Sequence, residues 1–280
     1  MYSPVTKNIV VLGSMRSGST VLRQMIGSAD HSVDLGEVFN DDVTKGTSFW
    51  RHVSKMSVGR PRFLHPHHWN EAWRDFIDLQ SKLYNSQILC VDVKISCIDI
   101  IYRPFADRAR FFFDSTEVHY ILLRRNDLLA QAISLHYAII TDRWAIVDDD
   151  PLRGVASRFY KTAGVQPVPR PVQKPNIVNP DFILDTMRSI RDQYALLKNA
   201  LLNVEFVEII YEDMFDERGI FTEDTVEIVS SLSGLHPSSY DRIPALKKQR
   251  GSDVLSDVAN ALELLEAIRS SELSYTLDGI

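Results

Sequence analysis

The chain has 280 residues, 45% of them apolar, with a formal net charge of -6 and a pI near 5.8. That length and apolar fraction suit one large α/β domain with a substantial core, while the lack of a global basic field argues against nucleic acid as a partner and points to small or neutral acceptors. No basic-then-apolar leader opens the chain and no run reaches the roughly 18 apolar residues of a membrane span, so a cytoplasmic protein without a membrane span is expected.

The first element is a short β-branched run, Ile9-Val10-Val11-Leu12, followed by Gly13, which predicts a buried parallel strand entering a loop. Helical character follows from Thr20 to Ile26, and Ser28 to Asp34 is turn-rich. Further strands are predicted at Ile88 to Ile95, at Val118 to Leu123 and at Val204 to Tyr211. A helix ending near Ile140 follows the third strand, and another, from about Asp181 to Leu202, precedes the fourth. Alternating strands and helices imply a parallel sheet covered on both faces, with ligands at the carboxyl ends of its strands. The proline-rich stretch from Asp148 to Pro180 predicts an irregular loop or lid within a single domain spanning residues 1–280. Cys90 and Cys97 are too few for a disulfide framework or a zinc site and are expected to be free thiols.

Between the first strand and first helix lies Gly13-Ser14-Met15-Arg16-Ser17-Gly18-Ser19-Thr20, with the glycine spacing of a Walker A loop in the context that motif demands. Backbone N–H groups there, with the positive helix end, form an anion cradle. The Walker lysine is absent: Ser19 stands in its place, and the nearest cation is Arg16. A second polar cluster follows the third strand, where Arg124-Arg125-Asn126-Asp127 leads to Gln131 and Ser134 on the next helix. Paired arginine hydrogen bonds suit a phosphate dianion, although arginines at a strand end also make ion pairs, here with Asp127 or Glu117.

Arg16-Ser17-Gly18-Ser19-Thr20 resembles the 5′-phosphosulfate loop of sulfotransferases that use 3′-phosphoadenosine 5′-phosphosulfate (PAPS), and its Ser-Thr ending is similar to that of the bacterial trehalose 2-sulfotransferase-like branch. The string from Leu123 to Leu135 resembles the 3′-phosphate motif of the same branch, with Arg125 and Ser134 one residue further apart than in the cytosolic aryl and steroid enzymes. The resemblance implies a three-layer α/β/α nucleotide-kinase-like fold, PAPS as co-substrate, no metal and often a homodimer. It also implies that the amides of Ser17 to Thr20 and the hydroxyls of Ser19 and Thr20 hold the 5′-phosphate, and that Arg124 or Arg125 with Ser134 grips the 3′-phosphate; Arg16, the nearest cation, can reach the bridging oxygen and the sulfuryl group.

Sulfuryl transfer needs a base near the acceptor hydroxyl. Gly36-Glu37-Val38-Phe39 resembles the segment that carries a glutamate base in the trehalose-type enzymes, which makes Glu37 the first candidate and His31 the second. Lys94 resembles the lysine of a Val-Lys pair in that branch and would stabilise the sulfuryl group or orient the acceptor, or else pair with Asp92 or Asp99. Tyr211-Glu212-Asp213 resembles a segment with a structural role, and Arg250, in a basic turn, is a further candidate for the 3′-phosphate. The histidines of His65-Pro66-His67-His68 lack the spacing of a helix-face ligand pair, and no metal ligands are assigned. The reading that results is sulfuryl transfer to a hydroxyl of a small acceptor, a carbohydrate by resemblance. Its alternatives are an atypical P-loop kinase and a non-catalytic nucleotide-binding protein of the same fold.

Overall fold

The computed structural model describes residues 7–39, 46–65, 68–94, 118–141, 177–202, 204–244 and 255–277. They belong to two compact units, one made of Met1–Arg124 with Tyr194–Ile243 and the other of Arg125–Gln193 with Pro244–Ile280.

The first unit holds a five-stranded, all-parallel sheet of β1 (Lys7–Gly13), β2 (Ser32–Glu37), β3 (Ile88–Lys94), β4 (Val118–Arg124) and β5 (Phe206–Ile210), in the order β2-β3-β1-β4-β5. β1 and β3 are interior strands and read as near-continuous apolar runs, because both of their faces are covered. Ile9 and Val11 of β1, Ile88 and Cys90 of β3, Ile121 and Leu123 of β4 and Ile209 of β5 pack with helix α1 (Ser19–Gly27) and a later helix, Glu223–Ser233. The residues that alternate with them, Val10, Leu12, Leu89, Val91, Val93, Tyr120 and Leu122, are buried as well. Helices α2 (Phe49–Gly59) and α3 (Trp69–Tyr84) lie between β2 and β3, and α3 contacts β3. The step from β1 to β2 crosses the sheet in one direction and the step from β2 to β3 in the other, so right-handed crossovers put α1 and α3 on opposite faces. The three-layer α/β architecture expected from the sequence is therefore observed.

Four helices follow in chain order: α4 (Leu128–Thr141), α5 (Pro180–Ala200), α6 (Glu223–Ser233) and α7 (Ala261–Arg269). Asp127 starts α4 by accepting from the Ala130 N–H at 2.7 Å, which makes it a helix cap. In the second unit Asn260 exchanges two 2.9 Å hydrogen bonds with the backbone of Val178, and Arg188 forks onto Glu272 at 2.8 and 3.2 Å. Most of the stretch read as a lid, together with Cys97, Arg250, Pro66 and His67, falls outside the described residues.

One expectation is corrected. The sequence reads as turn-rich from Ser28 to Asp34, yet Ser32–Glu37 is the edge strand β2. Its Asp and Gly disfavour β structure, and the segment is a strand because it pairs with β3.

Tyr211 opens the short 3₁₀ turn after β5 and underlies the glycine loop. Gly18 has φ +93°, and a Cβ built there would lie 2.3 Å from Cδ2 of the Tyr211 ring. Gly18→Ala therefore combines a clash with backbone strain and is expected to cost roughly 1–3 kcal/mol. Chemical denaturation should show that loss, and the pair Gly18→Ala with Tyr211→Leu should recover part of it by removing the ring.

Candidate functional site

The loop from Gly13 to Gly18 leaves β1 at its carboxyl end, as the sequence predicts. Arg16 (φ 62°) and Gly18 (φ 93°) both take the left-handed conformation, so the backbone curls before entering α1. Only a few per cent of non-glycine residues do so, and such positions concentrate at ligand-binding loops. The first turn of α1 has no acidic residue, and its N-cap, Gly18, has no side chain to cap the N–H groups, an arrangement that favours an anion there. Ser17 Oγ is buried against Gly13, with no hydrogen-bond partner among the described residues. The loop's base is fixed by Tyr194, whose hydroxyl donates to the Leu123 carbonyl at 3.1 Å and accepts from Ser14 Oγ at 3.5 Å.

The cation missing from the loop comes from the neighbouring strand. Lys94, the last residue of β3, donates to Ser19 Oγ at 2.5 Å and to Asp92 Oδ2 at 2.8 Å. Ser19 occupies the Walker lysine position, so an ammonium reaches the helix end from β3 instead of from the loop. Ser19 in turn donates its hydroxyl proton to Asp92 Oδ2 at 2.6 Å. Asp92 is 1% exposed and Lys94 8%. A buried carboxylate requires partners of this kind, and Asp92 has a third in Arg23, whose Nε donates to Oδ2 at 3.2 Å. Burial alone would raise the Asp92 carboxyl, but the Lys94 ammonium and the Arg23 guanidinium outweigh it and hold its pKa below the ordinary value. Burial likewise keeps the Cys90 thiol protonated, its pKa pushed well above normal.

Glu37 reaches the same cluster through a break in strand register. Asp34 pairs with Cys90 and Glu37 with Asp92, so three residues of β2 span what two residues of β3 span. Without the extra residue Glu37 would point to the opposite face of the sheet; the bulge, with Gly36 at φ 77°, turns it to the α1 side. There its Oε1 lies 3.7 Å from Lys94 Nζ, and its side chain is 38% exposed. Glu37 is thus the acidic group of the cluster that water reaches most readily.

Glu37, Lys94 and the residues from Arg16 to Thr20 gather at the carboxyl ends of β1, β2 and β3. His31 does not join them. It precedes β2, where its carbonyl accepts from Gln87 N, Ile88 N and Ser86 Oγ at the amino ends of the strands. At about 3.3 Å per residue, it lies roughly 20 Å along the strand from Glu37. Arg124, at the end of β4, is bound through Nε to Glu208 of β5 at 2.6 Å, and Lys198 adds a second ion pair to Glu208 at 3.4 Å. Burial opposes the Glu208 carboxylate, yet Arg124 and Lys198 hold its pKa below normal. Arg125 and Gln131 are buried in the second unit and Ser134 is half-buried there. Among the described residues no group of His, Cys, Asp and Glu could hold a metal ion, and no helix is long and apolar enough to cross a membrane.

Sequence reasoning missed Arg23 and Asp34. A signal was present for the first: Arg23 is four residues after Ser19, inside the apolar stripe Leu22, Met25 and Ile26. A charge on a buried stripe implies a buried partner.

No protein-family model matches the chain, and no curated protein sequence does. Among solved structures, matches include the crystal structure of a sulfotransferase from Alicyclobacillus acidocaldarius, at 13% identity and a TM-score of 0.40, covering 97% of this chain and 99% of that one. At that distance the likeness assigns no role to any residue of this chain.

A carboxyl whose pKa is depressed in the folded state contributes stability that is complete above its unfolded value, about 4, and is lost as the pH falls through the folded value. Asp92 belongs to this class. Denaturation across pH 7 to 3 should show stability dropping below about pH 4, with a shallower drop in Asp92→Asn. An unaltered slope in that variant would contradict the assignment.

Proposed function

We propose that the chain transfers the sulfuryl group of PAPS to a hydroxyl of a small acceptor, a carbohydrate by its resemblance to the trehalose-type branch. The observation that carries the reading is the junction of Lys94 with Ser19 beside Glu37. It puts an ammonium, an anion-binding helix end and a water-accessible carboxylate at one edge of the sheet. The loop amides and the Thr20 hydroxyl take the 5′-phosphate. Ser19, whose proton already goes to Asp92, is left to orient Lys94. Arg16 and Lys94 stabilise charge on the sulfuryl group and the leaving phosphate, and Glu37 accepts the acceptor's proton as the hydroxyl oxygen attacks sulfur. The S–O bond to the phosphate breaks, and adenosine 3′,5′-bisphosphate leaves. For the 3′-phosphate we assign Arg125 and Ser134: Arg124 is engaged by Glu208, whereas Arg125 and Ser134 match the resembling motif.

Calorimetric titration with adenosine 3′,5′-bisphosphate, with ATP and magnesium in parallel, tests the donor site. Binding of the bisphosphate supports the reading; binding of ATP alone replaces it with a kinase. Arg125→Ala should weaken bisphosphate binding roughly 10- to 100-fold, the value of a charge-assisted hydrogen-bond pair. Glu37→Gln should leave that binding in place and lower turnover by about 10²- to 10⁴-fold. Unchanged turnover would remove Glu37 from the role of base.

A further inference from the structure

We infer that Arg23 is the positioning residue of this site, a buried guanidinium that sets the cation and the base together. The inference rests on the sulfuryl-transfer reading and deepens it. Arg23 lies one helical turn after Ser19 on α1 and is 5% exposed. Its Nε donates to Asp92 Oδ2 at 3.2 Å, and its Nη1 forms an ion pair with Asp34 Oδ1. Each of these two carboxylates governs one reacting group.

Asp92 seats Lys94, whose ammonium it accepts at 2.8 Å. Asp34 governs Glu37: the oxygen that meets Arg23 also accepts the Gly36 N–H at 2.9 Å, closing the turn of the β2 bulge. The Arg23 Nη1 lies 3.8 Å from where a Gly36 Cβ would be, so the guanidinium packs against the bulge itself. Burial works against the charge on Arg23, but Asp34 and Asp92 raise its pKa further, and it remains a cation at every accessible pH. A guanidinium spans two carboxylates because its donors form a rigid planar fork. An ammonium is a point charge and satisfies one side or the other.

Arg23→Lys therefore keeps the buried charge while removing the bridge, and it separates positioning from simple neutralisation. In the full chain, Asp34→Asn loosens only the base side: turnover should fall on the order of a hundredfold, the cost of about 1 Å of misplacement, with bisphosphate affinity retained. Asp92→Asn should weaken bisphosphate binding through Lys94. Arg23→Lys should lower both turnover and affinity while the protein stays folded by circular dichroism. Wild-type turnover and affinity in folded Arg23→Lys would overturn the bridge. Should Arg23→Lys not fold, the near-isosteric Asp34→Asn carries the test alone, and unchanged turnover there overturns it. If the wild-type chain binds no bisphosphate, the sulfuryl-transfer reading fails, and the bridge is then judged by magnetic resonance of the free protein. Arg23→Lys should move both the Gly36 amide and the Lys94 ε-methylene signals, whereas Asp34→Asn should move the Gly36 amide; a Gly36 or Lys94 signal that stays in place in Arg23→Lys would show that no bridge exists.

Discussion

The Asp92 carboxylate is the constraint on which the rest of the site depends. Withdrawing such a group from water costs several kcal/mol, and the cost is offset only when strong donors surround it. Here one oxygen accepts from Lys94, Ser19 and Arg23, which belong to β3 and to two successive turns of α1. Helix and strand can satisfy it in a single register. A slip of α1 by one residue would carry Ser19 and Arg23 away together, because both lie on the face that meets the sheet. The hydrogen bonds that stabilise the fold are thus the ones that place an ammonium at the loop.

The charges follow from this. Asp92 and Asp34 balance Lys94 and Arg23, so the buried set is neutral. The groups at its margin, Arg16 on the loop and Glu37 on the edge strand, are more open to water. Neutral burial with charged margins lets a site meet an anion and a hydroxyl without leaving an uncompensated charge in the interior. Placing the lysine on β3 also has a mechanical effect. Lys94 ends β3, an interior strand paired on both sides, and is positioned by the sheet.

Much of this was legible in the sequence. The runs Ile9–Leu12, Ile88–Ile95 and Val118–Leu123 announced parallel strands, since burial on both faces leaves no room for polar alternation. The spacing of Gly13 and Gly18 announced the loop between strand and helix. Lys94 was visible as a cation in an apolar strand, and its pairing with Asp92 was one of the two readings open to it. β2 was not legible, because Ser-Val-Asp-Leu-Gly-Glu has no strand signature and becomes a strand only through its neighbour. His31 stood second to Glu37 as a candidate for the base because the two flank one short segment. Only the direction of that segment shows that they stand at opposite ends of the sheet.

The bulge in β2 shows why the missing information was structural and not chemical. Glu37 is the right residue type at almost the right place, but strict alternation would point it away from Lys94. One extra residue, a glycine in the left-handed region and an aspartate that accepts both its amide and a guanidinium reverse the side to which Glu37 points. None of these signals function when read singly: Asp34-Leu35-Gly36 is an ordinary turn sequence. Their effect exists only once β3 supplies a register to depart from and α1 supplies Arg23 to hold the departure in place. The position of the candidate base is therefore a property of three elements together.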